Sequence, residues 1–342
     1  MRHHTTAALV AAALIALAAC SDDASDTGAA DAADAADAAT DTEVADTAAT
    51  SPDTEATSPD TEIVDTTPDV PSDPIDEERL MTHDGVERLW RLYVPESVDR
   101  ASPAPVVFNF HGATPPLGTN TASLLQAELT LMKDKAAAEG FIVVHPQGLS
   151  NANGRQTWNA AEACCSDDLT RDDEGFVLAI LAALRDEFLI DDRRIYATGI
   201  SNGGFMSFAL ACHHADVFAA IAPVAALNGT TPCDPSRPVP ALVINGTDDE
   251  LVNYDLAAAT VAVWASLNGC DATTSSSFQN GDSACDAWSG CDAAVEFCTV
   301  TGGGHTWPGG IDVFEVFGYG YTTMDLSATD AMWDFFLAHP LP

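Results

Sequence analysis

Ile195-Tyr196-Ala197-Thr198-Gly199-Ile200-Ser201-Asn202-Gly203-Gly204-Phe205 runs from a short apolar segment through Gly-x-Ser-x-Gly into an apolar helical pattern ending near His213. We read Ile195–Thr198 as a buried strand and Phe205–His213 as a helix. A Ser between strand and helix needs a sharp turn, and small residues two before and two after it let the backbone close without collision. Such a turn exposes the Ser201 hydroxyl. The start of the helix meanwhile offers backbone N–H groups to a developing oxyanion, with Asn202 as the first donor.

Outward from this turn, short apolar runs alternate with helical patterns. The runs are Val106–Phe110, Phe141–Val144, Ala219–Val224, Ala241–Ile244 and Val295–Cys298, each the length of a buried strand. Helical patterns cover Leu124–Ala138, Phe176–Phe188, Asp255–Leu267 and Ala328–His339. In the second of these, Phe176, Ala179, Ile180, Ala183 and Leu184 fall on one face. Met81–Pro95 reads as a hairpin turning at Asp84-Gly85. The alternation predicts an α/β fold with a mostly parallel central sheet and helices on both faces. Active sites in such folds lie beyond the carboxyl ends of the strands.

Two more strand ends supply partners for a hydroxyl nucleophile. Of nine histidines, His305 follows the strand at Val295–Cys298 within Gly302-Gly303-Gly304-His305-Thr306-Trp307-Pro308. A glycine run permits close approach, so His305 is the candidate base. Asp248 and Asp249 both follow the strand Ala241–Ile244, and residue chemistry leaves them equal candidates to orient the imidazole. The chain order Ser, Asp, His is that of α/β-hydrolases. Phe110-His111-Gly112-Ala113 ends an early strand, which makes the Ala113 N–H the candidate second oxyanion donor and His111 an orienting or structural residue. Trp158 and Trp307 are candidate substrate-binding residues, able to stack on a sugar or phenolic ring. Acyl transfer by such a set requires no metal and no organic cofactor.

The N-terminus reads differently. Residues 1–19 combine a weakly basic start with an apolar run, Ala7–Ala19, too short to span a bilayer, as in an export signal. The ending Leu17-Ala18-Ala19-Cys20 resembles a bacterial lipobox, making Cys20 the expected site of cleavage and acylation. Its acyl chains would hold the chain to a membrane. Residues 20–76 are expected to form a disordered acidic tether: positions 21–76 carry 17 acids and no Lys or Arg. Residues 77–342 form the expected catalytic domain, with 35 acids against 12 Lys and Arg. The whole chain carries a net charge of −39, which repels phosphate backbones and argues against nucleic acid as a partner. It equally disfavours strongly anionic substrates.

Beyond Cys20 there are eight cysteines, an even number that suggests disulfides in an exported chain. We expect Cys164 and Cys165 to pair with Cys212 and Cys233, and Cys270, Cys285, Cys291 and Cys298 among themselves. Zinc is the rival reading, but neither Cys164-Cys165 nor His213-His214 has a spacing that lets both side chains reach one ion.

Taken together these segments resemble a known group, the exported polyhydroxybutyrate depolymerase-like α/β-hydrolases. That group overlaps the feruloyl and acetylxylan esterases of carbohydrate esterase family one. The resemblance runs from about Arg88 to the end and rests on Leu92-Tyr93-Val94-Pro95, His111-Gly112, Pro146-Gln147-Gly148 and Trp158 with Cys164-Cys165. It continues through Gly199–Gly204, Gly246-Thr247-Asp248-Asp249, Gly303–Gly309 and the closing Ala328–Phe336. It implies the α/β-hydrolase fold and an exported serine esterase with catalytic Ser201, Asp249 and His305. Asp249 takes the acid role because Val252 stands three residues on, as the family pattern has it. Ala113 replaces a Cys frequent in the family, which is neutral if only the N–H is used. The resemblance implies feruloyl or acetyl esters of plant polysaccharide as substrates, with polyhydroxybutyrate oligomers as the alternative. A prolyl-oligopeptidase-type peptidase shares Gly-x-Ser-x-Gly-Gly but calls for a propeller-sized N-terminal region. A non-catalytic surface binding protein is disfavoured because all three triad positions are filled. A monomer is expected.

Overall fold

The computed structural model describes residues 73–115, 121–161, 164–312 and 318–342. The signal segment, Cys20 and the tether up to residue 72 lie outside the described residues. The domain begins slightly earlier than the expected boundary at residue 77, because Ile75 and Asp76 already pair with Val94 and Tyr93. Strands β1 (Ile75–His83) and β2 (Val86–Val94) form the antiparallel hairpin across Asp84-Gly85.

The central sheet contains β3 (Ala104–Phe110), β4 (Ile142–Pro146), β9 (Ile190–Ile200), β10 (Ala220–Val224), β11 (Ala241–Gly246) and β14 (Val295–Val300). These six lie side by side in the order β4-β3-β9-β10-β11-β14, and every neighbouring pair is parallel. Each predicted buried run is one of them. The residues of β3, β4, β10 and β11 are buried on both faces, which explains continuous apolar runs instead of alternation.

Antiparallel strands extend both edges. The hairpin joins through β2 on β4, and β13 (Ser283–Trp288) and β12 (Thr274–Asn280) follow β14. The last two have no counterpart in the sequence reading. All of Thr274–Asn280 is exposed, so its polar composition carries no hydrophobic period to detect. Two small pairs complete the strands: β5 (Leu149–Ser150) with β6 (Gln156–Thr157), and β7 (Asn159–Ala161) with β8 (Cys164–Cys165).

Helices cover both faces. On one, α3 (Asp173–Glu187), α4 (Asn202–His213) and α5 (Tyr254–Leu267) pack Phe176, Phe208 and Trp264 into a common core. On the other, α2 (Met132–Glu139) and α6 (Ala328–Ala338) contribute Met132, Trp333 and Phe336, with Phe141 stacked on Trp333 and Tyr196 on Phe336. The single helix expected over Leu124–Ala138 is two, α1 (Ala122–Leu129) and α2. The break falls at Thr130-Leu131, where Leu131 is left-handed at φ 55°. Buried hydrogen bonds hold it: the Thr130 hydroxyl accepts from Asn109 and its carbonyl accepts from Thr329. A tertiary contact of this kind leaves no Gly or Pro to read.

Among the described residues, four disulfides join Cys164–Cys165, Cys212–Cys233, Cys270–Cys291 and Cys285–Cys298. The last four cysteines pair among themselves as expected, but the crossed pairing of Cys164 and Cys165 with Cys212 and Cys233 is corrected. Cys164 lies against Asn202 at the start of α4, whereas Cys212 is ten positions further along that helix. At about 1.5 Å per residue they are ~15 Å apart along the axis, beyond the reach of one S–S bond. Among the described residues no helix is long and apolar enough to cross a membrane.

Candidate active site

Ser201 sits where β9 passes into α4, with φ 55° and ψ −124°. An L-residue adopts that conformation only when its surroundings enforce it. The enforcement is visible: Ser201 N–H donates to the Val224 carbonyl at 2.9 Å. The flanking glycines have no room for a side chain. A Cβ on Gly203 would stand 2.2 Å from the Phe110 carbonyl oxygen, and one on Gly199 2.5 Å from the same atom. The Ser201 hydroxyl makes no capping bond to α4, so it is not spent as a helix cap.

Asp249 follows β11 and His305 follows β14. His305 Nδ1 and Asp249 Oδ2 are 2.8 Å apart, both side chains being buried. The other carboxylate oxygen accepts from the N–H groups of Leu251 and Val252, each at 2.8 Å. An acceptor held on three sides assigns the proton to Nδ1 and leaves Nε2 as the basic nitrogen. The loops are also stitched together: Asp248 N–H donates to the Gly303 carbonyl, and a Cβ on Gly246 would lie 2.1 Å from that oxygen. Asp248 itself is exposed, its carboxylate accepting from the Thr247 hydroxyl at 3.0 Å. Geometry therefore separates two residues that sequence chemistry left equal.

Because β9, β10, β11 and β14 are adjacent and parallel, Ser201, Asp249 and His305 all emerge at one edge of the sheet. The β3 loop reaches the same place. A Cβ on Gly112 would be 3.2 Å from that of Ser201, so His111-Gly112-Ala113 passes directly against the nucleophile turn. His111 is buried, with Nδ1 at 2.7 Å from the Gly112 carbonyl and Nε2 accepting from Gly148 N–H at 2.9 Å. Burial, aided by the nearby Arg88 charge and opposed by the Gly112 bond, lowers its pKa to about 4. A neutral ring with both nitrogens engaged orients the loop and is no second base.

The tryptophans do not face a substrate. Trp158 is 0% and Trp307 1% exposed, so the expected stacking role is corrected for both. Trp307 donates its indole N–H to the Thr329 hydroxyl within the core on the α2–α6 face. Trp158 is a brace. Its backbone N–H donates to Asn202 Oδ1 at 2.6 Å, its carbonyl accepts from Asn202 Nδ2 at 3.2 Å, and its indole donates to the His111 carbonyl at 3.0 Å. One residue thus ties both segments that carry the candidate oxyanion donors, Asn202 and Ala113. Spacing gave no sign of this brace, since an aromatic beside a polar loop reads the same whether it points inward or outward. A further support is the buried Asp173 carboxylate, which accepts from Arg88 at 2.6 Å and from Asn159 N–H at 2.7 Å, next to Trp158.

A parallel sheet with antiparallel edges, a nucleophile turn and acid and histidine loops on successive strands has known counterparts. The acetyl xylan esterase from Aspergillus awamori superposes with a TM-score of 0.53 at 15% identity, covering 71% of this chain and all of that one. The chain has the α/β-hydrolase fold. Within this fold, a model of the prolyl oligopeptidase family matches residues 128–231, the part containing the nucleophile turn. Feruloyl esterase B of Piromyces equi is 32% identical over 226 residues, 59% of this chain and 39% of its own length. Feruloyl esterase C of Emericella nidulans is 28% identical over 263 residues, 73% of this chain and 84% of its own. This α/β-hydrolase chain therefore spans about two fifths of the Piromyces relative it matches.

Proposed function

We propose that the chain is an exported serine esterase that hydrolyses carboxylic esters through Ser201, His305 and Asp249. The observation that carries this reading is the Asp249–His305 pair, 2.8 Å apart, on the sheet edge where the Ser201 turn emerges. His305 Nε2 takes the Ser201 proton as the hydroxyl attacks the ester carbonyl. Asp249 holds the imidazole and stabilises the imidazolium that forms. The N–H groups of Asn202, which no intrahelical carbonyl can engage at a helix start, and of Ala113 receive the oxyanion. His305 then protonates the leaving alcohol and activates water, which releases the acid and restores Ser201.

Feruloyl and acetyl esters of plant polysaccharide are the proposed substrates, supported by the similarity to the two feruloyl esterases. The enzyme acts as a monomer, held at a bacterial membrane or cell surface through acylated Cys20. Turnover of p-nitrophenyl acetate, blocked by a serine-directed phosphonate and reduced by several orders of magnitude in Ser201→Ala, is the expected result. A folded Ser201→Ala with the wild-type rate would refute the assignment. Parallel assays on methyl ferulate, acetylated xylan and hydroxybutyrate oligomers decide the ester: a preference for the oligomers overturns the polysaccharide reading. Palmitate labelling lost in Cys20→Ser is the matching test of the anchor.

A further inference from the structure

We infer that the disulfide between the adjacent residues Cys164 and Cys165 is a positioning group for the oxyanion hole, and that its reduction switches turnover off. The inference rests on the ester-hydrolase reading above. Three observations carry it. The bond lies in β8, whose partner strand β7 begins directly after Trp158, with Cys165 opposite Asn159 and Cys164 opposite Ala161. Cys164 Sγ also lies 3.8 Å from Asn202 Nδ2, so it touches the side chain that Trp158 clamps. Finally, Cys165 is held at φ 124°, a backbone state that an L-residue leaves when nothing enforces it.

The small ring closed by neighbouring sulfurs supplies that enforcement. Asn151 and Asp173 anchor the same hairpin, through the Cys165 carbonyl and the Asn159 N–H. The side chain of Asn202 thus rests on the Trp158 backbone and on Cys164, in a strand whose own backbone the bond between neighbouring sulfurs holds, and the Asn202 N–H is positioned with it. A dithiol reduces the bond: two electrons and two protons give two cysteine thiols, and the dithiol leaves as its cyclic disulfide. Cys165 then relaxes, the hairpin loosens, and the donor moves away from where the oxyanion forms. Substrate binding does not depend on this donor, so kcat falls while KM stays. Loss of one such donor typically costs 10²–10³ in kcat.

The full chain is assayed with p-nitrophenyl acetate as wild type, as Cys164→Ala/Cys165→Ala, and as Cys270→Ala/Cys291→Ala, which removes a disulfide elsewhere. We expect the first double variant to lose at least tenfold in kcat with KM within twofold. The second should keep its kcat. Dithiothreitol should reproduce the loss in wild type, reoxidation should reverse it, and it should add nothing in the first variant. The reduction and reoxidation of wild type stand even if a variant folds poorly, because wild type is there its own control. Wild-type kcat in a folded Cys164→Ala/Cys165→Ala, an equal loss in the Cys270/Cys291 variant, or a change in KM alone overturns the inference. An inert wild type overturns the esterase reading and this inference with it, whereas an active, Ser201-dependent wild type indifferent to the bond overturns only the inference.

Discussion

At the scale of single residues, Asp248 and Asp249 show how neighbours of identical chemistry acquire different roles. Asp249 is buried and spends both oxygens, on His305 and on two backbone N–H groups; Asp248 faces solvent. Asp249→Asn keeps the shape but offers an amide where the imidazole needs an acceptor, so kcat should fall by about 10³–10⁴ with little change in Tm. Asp248→Asn should stay within a few-fold of wild type in the same assay. Ser201 and His305 were legible because each stands among glycines at a strand end. Trp158 and Trp307 were misread because direction is set by packing that no local pattern encodes.

Buried histidines give a second prediction at this scale. Burial holds His111 at about 4 and His145 at about 3, so both are neutral in the folded chain. An unfolded His takes up its proton near 6.5, so below that pH the unfolded state binds more protons. Their stabilising contribution is full above pH 6.5 and is lost as pH falls toward 4 for His111 and toward 3 for His145. Denaturant unfolding of wild type and His145→Leu isolates one of them. Between pH 7 and 4 the wild type should lose roughly 3 kcal/mol relative to the variant. A constant difference across that range would show that His145 is not held neutral by the fold.

Among elements, the junction of β3, β9 and α4 is packed with no room for an added side chain. Gly203→Ala places a methyl group 2.2 Å from the Phe110 carbonyl oxygen, an atom of the backbone that cannot rotate aside. We expect a destabilisation of about 2 kcal/mol or more, read as a lowered denaturant midpoint, together with reduced turnover as the His111 loop is pushed. Retained stability and rate would mean that this junction is looser than the contacts indicate. Elements of this buried kind were readable in advance because each of the six parallel strands is an apolar run. The exposed β12 was not, and the α1–α2 break was hidden because Asn109 and Thr329, distant in sequence, hold it.

For the whole molecule, charge and topology act together. Residues 77–342 carry 35 acids against 12 Lys and Arg, so the domain repels anions over the range of the Debye length. A carboxylate-bearing ester should therefore be turned over with a lower kcat/KM than its neutral methyl ester at low ionic strength, and added salt should narrow the gap. Salt-independent rates for both would remove long-range charge from the account of selectivity. Topology does the rest, since adjacent parallel strands deliver residues scattered through the chain to a single edge. The strand–helix alternation was enough to place that edge, while which side chains brace it emerged only with the packing. The most direct measurement is intact and peptide mass spectrometry after trapping with a serine-directed phosphonate. The account predicts a single adduct on the peptide containing Ser201, lost in Ser201→Ala and formed at least a hundredfold more slowly in His305→Ala. An adduct on any other residue, or undiminished ester hydrolysis by Ser201→Ala, would contradict it.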